Sequence, residues 1–285
     1  MSSYNDIVKW WSNLEKNTIE DYQVLLNNFQ ILFASHTNNI EGISVNYHTT
    51  RDVFEGKNVN NYSGPVENLF VVRNQKFASE YLTKSVIAKK PITIDFIKKV
   101  HKILMYGSYD QTRWGKGERP GKFKIGDYCI GLMDIGSLPD EVNQDMQELV
   151  DELNTATITD VLTASAYFHC KFESIHPFAD GNGRVGRTLL NYFLMLHNYP
   201  PLIIFDEDKN VYYMALEVFD RTGEISGMEK FLQEQTIKTW SKHLPFNKME
   251  YLEKFLPLLP EASVAACKTK EDCDALLERL GVKCL

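Results

Sequence analysis

Residues 175–187 read Ile-His-Pro-Phe-Ala-Asp-Gly-Asn-Gly-Arg-Val-Gly-Arg, and these residue types in this spacing are suited to handling phosphate. Gly181 and Gly183 allow positive φ, so consecutive N–H groups can converge into a nest where a helix begins. The first amides of a helix have no intrahelical partner, which makes its N-terminus a ready anion site. Arg184 and Arg187 stand three apart on that helix, share a face, and can clamp further phosphate oxygens. Asp180, just upstream, offers an oxygen ligand for a magnesium ion bridging two phosphates. His176 is left at the rim, where a neutral imidazole can accept a hydroxyl proton near pH 7. On residue types alone, Gly-Asn-Gly after a proline is equally a structural turn, and a single His between helices equally a packed core residue.

The elements that must position this loop are helices. Residues 18–34 carry Ile19, Tyr22, Leu25, Leu26, Phe29, Leu32 and Phe33 at the spacing of one buried stripe. Residues 66–88 repeat the pattern with Leu69, Phe70, Phe77, Tyr81 and Val86, and the Asn- and Gly-rich stretch 56–65 connects the two. Pro91 announces a third helix with Thr93 as its N-cap; Phe96, Ile97, Val100, Ile103 and Leu104 lie on one side and Gly107 stops it. Residues 108–134 change character to Gly, Pro and charge clusters, and Gly126-Asp127 between two β-leaning pieces signals a hairpin. Helical periodicity returns after Leu138-Pro139-Asp140 with Val142, Met146, Leu149, Val150 and Leu153, then over 159–175, 182–197, 209–221 and 227–243. Pro177 ends the helix before it near His176, because the residue preceding a proline is pushed out of the α region. The expectation is an all-α fold with one small β-hairpin, divided as 1–90, 91–240 and a C-terminal helical tail 241–285.

Composition narrows the function classes. The chain has 285 residues, 44% of them hydrophobic and 24% charged, as in an ordinary globular protein. With 31 Lys+Arg against 38 Asp+Glu, its net charge of −7 leaves no basic surplus for gripping nucleic-acid backbones. No apolar run is long enough for a membrane-spanning helix, and the opening MSSYNDIVKWW lacks the basic and apolar regions of a secretory leader. Five scattered cysteines (Cys129, Cys170, Cys267, Cys273, Cys284) suit a reducing compartment, so the expected location is cytoplasmic.

The loop resembles the signature of the Fic (filamentation-induced-by-cAMP) family, H-x-F-x-[D/E]-G-N-G-R-x-x-R, and meets every specified position from His176 to Arg187. The helix ending VHKILM, the GKFKIGDYCIG stretch, the approach from His169 through Phe172 to Ile175, and the YYMALEVFD segment resemble further landmarks of that family in its order. The likeness covers about residues 91–240 and, more weakly, the N-terminal segment. It implies a Fic-type helical fold with a β-hairpin flap, and transfer of AMP from ATP to a Ser, Thr or Tyr hydroxyl of a target protein, or of the chain itself, with release of pyrophosphate.

In that resemblance His176 is the general base and Asp180 the Mg2+ ligand. Gly181, Asn182 and Gly183 form the anion hole, with the Asn182 side chain on an α-phosphate oxygen. Arg184 steadies the pyrophosphate, Arg187 holds the γ-phosphate, and Val185 and Gly186 complete the ATP-binding stretch. Phe178 pins the loop from the core. Tyr212 and Tyr213 border the nucleotide, or are simply aromatics of an amphipathic helix. Asp220 stands where the family often has Asn. Cys129, Ile130, Gly131 and Leu132 resemble the flap, whose strand edge can pair with an extended target segment.

Thr37, Glu41 and Gly42 fit [S/T]-x-x-x-E-[G/N], similar to the inhibitory motif of the subclass whose inhibitory helix precedes the core. There Glu41 would pair with Arg187 and take the arginine that the γ-phosphate needs, with Thr37 steadying the helix. Read alone, the same residues describe a solvated Glu at a helix end with Gly42 as its stop signal. The alternatives within this family are a hydrolase removing AMP at the same site, or transfer of another phosphate-containing group. Neither nucleic acid nor membrane is an expected partner, and a homo-oligomer is compatible with the sequence.

Residues 115–123 have the wrong glycine spacing for a Walker A loop, and no His or Cys set has metal-site spacing. His169 reads as a packed helix residue near the loop.

Overall fold

The computed structural model describes residues 3–60, 62–128, 136–243 and 261–279. Its helices run α1 (Tyr4–Ser12), α2 (Ile19–Ile40), α3 (Tyr47–Glu55), α4 (Val66–Ile87), α5 (Ile94–Leu104), α6 (Gln111–Gly115), α7 (Val142–Thr155), α8 (Val161–Ile175), α9 (Asn182–Leu196), α10 (Lys209–Thr222), α11 (Ser226–Trp240), α12 (Glu261–Ala266) and α13 (Lys270–Arg279). The fold is all-α, and no strand occurs among the described residues. None of the described helices is long and apolar enough to cross a membrane.

Local chemistry starts most of these helices where the sequence suggests. Thr18 caps α2 and closes a capping box with Asp21, Thr93 accepts the Phe96 amide at the head of α5, and Asp160 accepts two amides at the head of α8. The centre of the molecule is α9, buried around nearly its whole circumference. It packs against α8, α5, α4 and α2. Val185, Leu189, Tyr192 and Phe193 sit in an apolar cluster that runs without a break from Ile7 and Trp11 to Trp240. Each such side chain withdrawn from water contributes about 1.5–3 kcal/mol. Because α1 packs on α11, the ends of the described core close on each other, with Trp10 and Trp11 both against Trp240.

One helix outruns its apolar stripe and another differs from its sequence reading. Helix α2 continues six residues past Phe33-Ala34 to the end marked by Glu41 and Gly42, through Ser35-His36-Thr37-Asn38-Asn39-Ile40, which are weak helix formers. Packing overrides propensity there, since Ser35, Thr37, Asn38 and Ile40 are all buried against the core. On α4 the buried face is Val71, Val72, Asn74, Gln75, Ala78, Leu82 and Val86, whereas Phe70 and Phe77 are exposed and flank the Arg73 guanidinium at 4.9 and 5.8 Å. The buried face accepts polar residues because they have work there: Asn74 Nδ2 donates to the Leu104 and Tyr106 carbonyls and finishes α5.

Residues 118–128 form no strand either. The buried Glu118 carboxylate accepts the Ile125 and Gly126 amides, each at 3.0 Å, so a side chain rather than a partner strand shapes this turn. The expected flap residues Cys129, Ile130, Gly131 and Leu132 lie outside the described residues.

Candidate active site

The loop between α8 and α9 is held from below before any ligand is considered. Pro177 forces the preceding residue out of the right-handed region, and His176 takes φ 49°, ψ 60°, left-handed rather than extended. Such a conformation costs a non-glycine residue about 1–3 kcal/mol, so the surroundings must hold it. They do: the His176 amide donates to the Phe172 carbonyl, and the Ser137 and Lys124 amides donate to the carbonyls of Ile175 and Pro177 on either side of it. The two flanks of segment 125–136 are therefore fastened to the backbone around His176.

Phe178 is fully buried and stacks on His101 with 3.7 Å between ring centres. His101 Nε2 donates to the Asp180 carbonyl at 3.0 Å while Nδ1 accepts the Gly121 amide at 2.7 Å, which assigns a neutral tautomer. Burial pushes this imidazole down to about 4, consistent with that assignment. His101 was not singled out from sequence, although its place among Ile97, Val100 and Leu104 puts it on the buried face of α5.

Asn182 accepts the Phe178 amide with Oδ1 at 2.9 Å and donates Nδ2 to the Phe178 carbonyl at 2.7 Å. Its side chain thus ties the loop to itself, and the second Nδ2 hydrogen and the backbone amide remain as donors for an anion. Gly181 has φ +84°, and a Cβ there would lie 2.4 Å from Met105 Sδ. Gly183, expected to share the positive φ, is ordinary helix; a Cβ on it would meet Glu41 Oε1 at 2.6 Å. No side chain caps α9, so its first amides keep their donors.

The charged groups gather around this N-terminus. Arg187 is 2% exposed and spends its guanidinium on α2: Nε donates to Thr37 Oγ1 at 2.8 Å, and Nη2 donates to the Thr37 carbonyl at 3.1 Å and to Glu41 Oε1 at 2.5 Å. Thr37 therefore touches the arginine itself. Glu41 is the C-cap of α2, and Gly42 follows with φ +73°, turning the chain away. Burial works against the Glu41 charge, but attraction and hydrogen bonding from Arg187, aided by Arg184, leave its carboxyl below the ordinary value. Arg184 is 4% exposed and reaches Asp180 at 3.5 Å, as does Arg113 from α6. His176, held in a pocket of low polarity with the Lys124 charge nearby, is pushed down to about 4 and is neutral at pH 7.

Behind Arg187 lies a second layer that sequence reading only partly foresaw. Tyr212 is buried, its hydroxyl 2.9 Å from His169 Nε2 and its ring 6.0 Å from the Arg187 guanidinium. It underlies the arginine, while Tyr213 is 46% exposed at the surface of α10. Val185 is in the apolar core, and Gly186 faces Glu173: a Cβ on Gly186 would lie 2.1 Å from Glu173 Oε1. Neither residue offers a side chain to a ligand; both serve the packing of α9. Burial raises Glu173 to about 8 despite the pull of Arg187, so this carboxyl is mostly protonated at neutral pH. Asp220 accepts a hydrogen bond from Ser174, which favours its charge, but loss of solvation outweighs this and raises its carboxyl above the ordinary value.

A Mg2+ ion fits Asp180 only as a cation arriving with phosphates. The carboxylate is 31% exposed and belongs to no group of three candidate ligands among the described residues, and Mg2+ characteristically takes one or two carboxylates with substrate phosphate oxygens and water. Among the described residues the group of three candidate ligands that lies close together is His36, Asp206 and Glu207, on the outer side of α2.

Residues 91–194, which contain α5 through most of α9, match the Fic/DOC family. This segment is a Fic/DOC domain. The Fic domain and its flanks are 29% identical over 217 residues to the protein adenylyltransferase Fic of Drosophila willistoni, covering 73% of this chain and 40% of that protein. The counterpart in Drosophila erecta is 30% identical over 217 residues, with 73% and 41% covered. The chain thus spans about two-fifths of the length of the curated relatives it matches. Among solved structures, a Fic-domain-containing signaling protein from Bacteroides thetaiotaomicron superposes with a TM-score of 0.73 at 21% identity, covering 86% of this chain and all of that one. Fic-1 from C. elegans gives 0.69 at 23% identity, covering 88% and 71%. At these identities the structural likeness concerns the fold, and it extends beyond the Fic domain to most of the chain.

Proposed function

We propose that this protein is a protein adenylyltransferase held off by its own α2. The observation that carries the reading is the occupation of Arg187 by Thr37 and Glu41 directly over an uncapped helix N-terminus that begins six residues after a neutral histidine. The family likeness and the name of the curated relatives support the chemistry.

In the active form the amides at the head of α9, with Arg184 and Arg187, bind the triphosphate of ATP. His176, neutral and at the loop's rim, takes the proton of a target Ser, Thr or Tyr hydroxyl as its oxygen attacks the α-phosphorus. The bond from that phosphorus to the bridging oxygen breaks, and pyrophosphate leaves with its charge met by the arginines. Asp180 would hold Mg2+, which when bound offsets charge on the phosphates. The flanks of 125–136, fastened on both sides of His176, suit a target segment lying across the loop. Glu41 keeps this arrangement from forming by denying Arg187 to the nucleotide. The five scattered cysteines suit a reducing compartment, and the cytoplasm fits.

The test is transfer of label from [α-32P]ATP to protein by Glu41→Gly, and by Glu41→Gly with His176→Ala. Labelling in the first and none in the second is expected; silence in both with a range of target proteins overturns the proposal. A second reading has one observation in its favour: Glu41 is held ionised near His176 and could orient a water. Release of AMP from a modified protein by the unaltered chain, lost in Glu41→Gly, would select it.

A further inference from the structure

We propose that Arg113, outside the loop motif, is a phosphate-binding residue of the same site; this rests on the nucleotide-transfer reading above. Arg113 lies on α6, in the segment of Gly, Pro and charge clusters that follows α5. Its Nη2 is 3.5 Å from Asp180 Oδ2, and Arg184 Nη2 is 3.5 Å from Asp180 Oδ1. One carboxylate is shared by two guanidinium groups, both farther off than the 2.7–2.9 Å typical of a charge-assisted hydrogen bond. Neither arginine is saturated. Arg184 Nε and Nη1 and Arg113 Nε are shut off from solvent without hydrogen-bond partners. A buried guanidinium donor without an acceptor is costly, so the arrangement awaits a further acceptor.

The ligand that meets this demand carries several oxygens and negative charge, and it must reach the uncapped amides of α9 at the same time. A triphosphate does all three; a second carboxylate does not span the distance. Arg113 is prepared for the task. Asp110 accepts both its amide at 2.8 Å and Nη1 at 2.9 Å, so the fork is oriented before a ligand arrives. Tyr109 beneath it is tied through its hydroxyl to His101, the residue that holds the Asp180 carbonyl. Among the described residues Arg113 forms ion pairs with Asp110 and Asp180. Once Asp180 turns to a cation, Nη2 is released toward the loop.

The experiment measures binding to the full chain carrying Glu41→Gly, with and without Arg113→Ala, using calorimetry for ATP with Mg2+ and ligand-observed NMR for adenosine. Arg113→Ala is expected to weaken ATP about tenfold, the size of one lost charge-assisted contact, and to leave adenosine unchanged. Arg113→Lys should recover part of the loss. Unchanged ATP affinity overturns the proposal, and so does an equal loss for adenosine, which would mark a merely structural role. If Arg113→Ala fails to fold, Arg113→Gln and Arg113→Lys carry the same comparison. A parent that binds ATP through Arg113 yet transfers no AMP sinks the transferase reading and leaves this inference standing; a parent that binds no ATP sinks both.

Discussion

Arg187 and Glu41 are 146 residues apart in sequence and share a hydrogen bond of 2.5 Å. Arg187 has only 2% of its surface in water, so its charge must be met from within the fold, and α2 supplies the acceptors. The contact proposed to be inhibitory is therefore also a structural one.

Glu41→Gly should release Arg187 to phosphate and at the same time lower stability. The loss is expected at about 1.5–3 kcal/mol, the range for a hydrogen bond to a charged group, because Thr37 keeps its two bonds to the arginine. Chemical denaturation of the two proteins, read beside their ATP affinity, checks it: lower stability with tighter ATP binding is the expected pair.

Acid should dissolve the same contact. Since the folded-state pKa of Glu41 is depressed, its stabilisation is complete above the unfolded value of about 4.3 and is lost as pH falls below that through the folded value. The difference in unfolding free energy between the unaltered chain and Glu41→Gln is expected to stay constant from pH 8 to about 5 and to shrink below that.

For His176, the folded value near 4 keeps the imidazole neutral throughout the neutral range. The kcat/KM of Glu41→Gly for label transfer should stay level down to about pH 5 and fall below it. Removing Glu41, which favours the imidazolium, moves this limb further down. A limb near 6.5 would contradict the assignment.

Gly186→Ala places a Cβ 2.1 Å from Glu173 Oε1. Overpacking of this kind costs about 1–3 kcal/mol. Combining it with Glu173→Ala should recover most of that loss, a coupling that a double-mutant cycle on thermal or denaturant stability will measure.

On its other side α2 is tethered by Asp206, which pairs with His36 and accepts from Asn39 Nδ2 at 3.2 Å. Asp206→Ala should weaken the hold of α2 by about 1 kcal/mol, raising transfer about fivefold with Glu41 still in place. Activity should stay below that of Glu41→Gly, since the Arg187 contact persists.

What could be read in the chain was local. Capping residues, apolar spacing and Pro177 gave the helices and their ends, because each depends on neighbours within a turn or two. The run from His176 to Arg187 was legible as a family signature for the same reason: the motif is continuous. Where the reading went astray, distant contacts had decided the matter. Phe70 and Phe77 have helical spacing yet face water, since Asn74 and Gln75 are needed against the core. Arg113 lies more than sixty residues before Asp180's neighbours on α9 and carries no periodic signal, so only folding brings its guanidinium to that carboxylate. The sequence by itself determined which residues could act on phosphate. The tertiary structure decided which of them face each other, because desolvated charges must find partners and a chain finds them wherever packing brings them together.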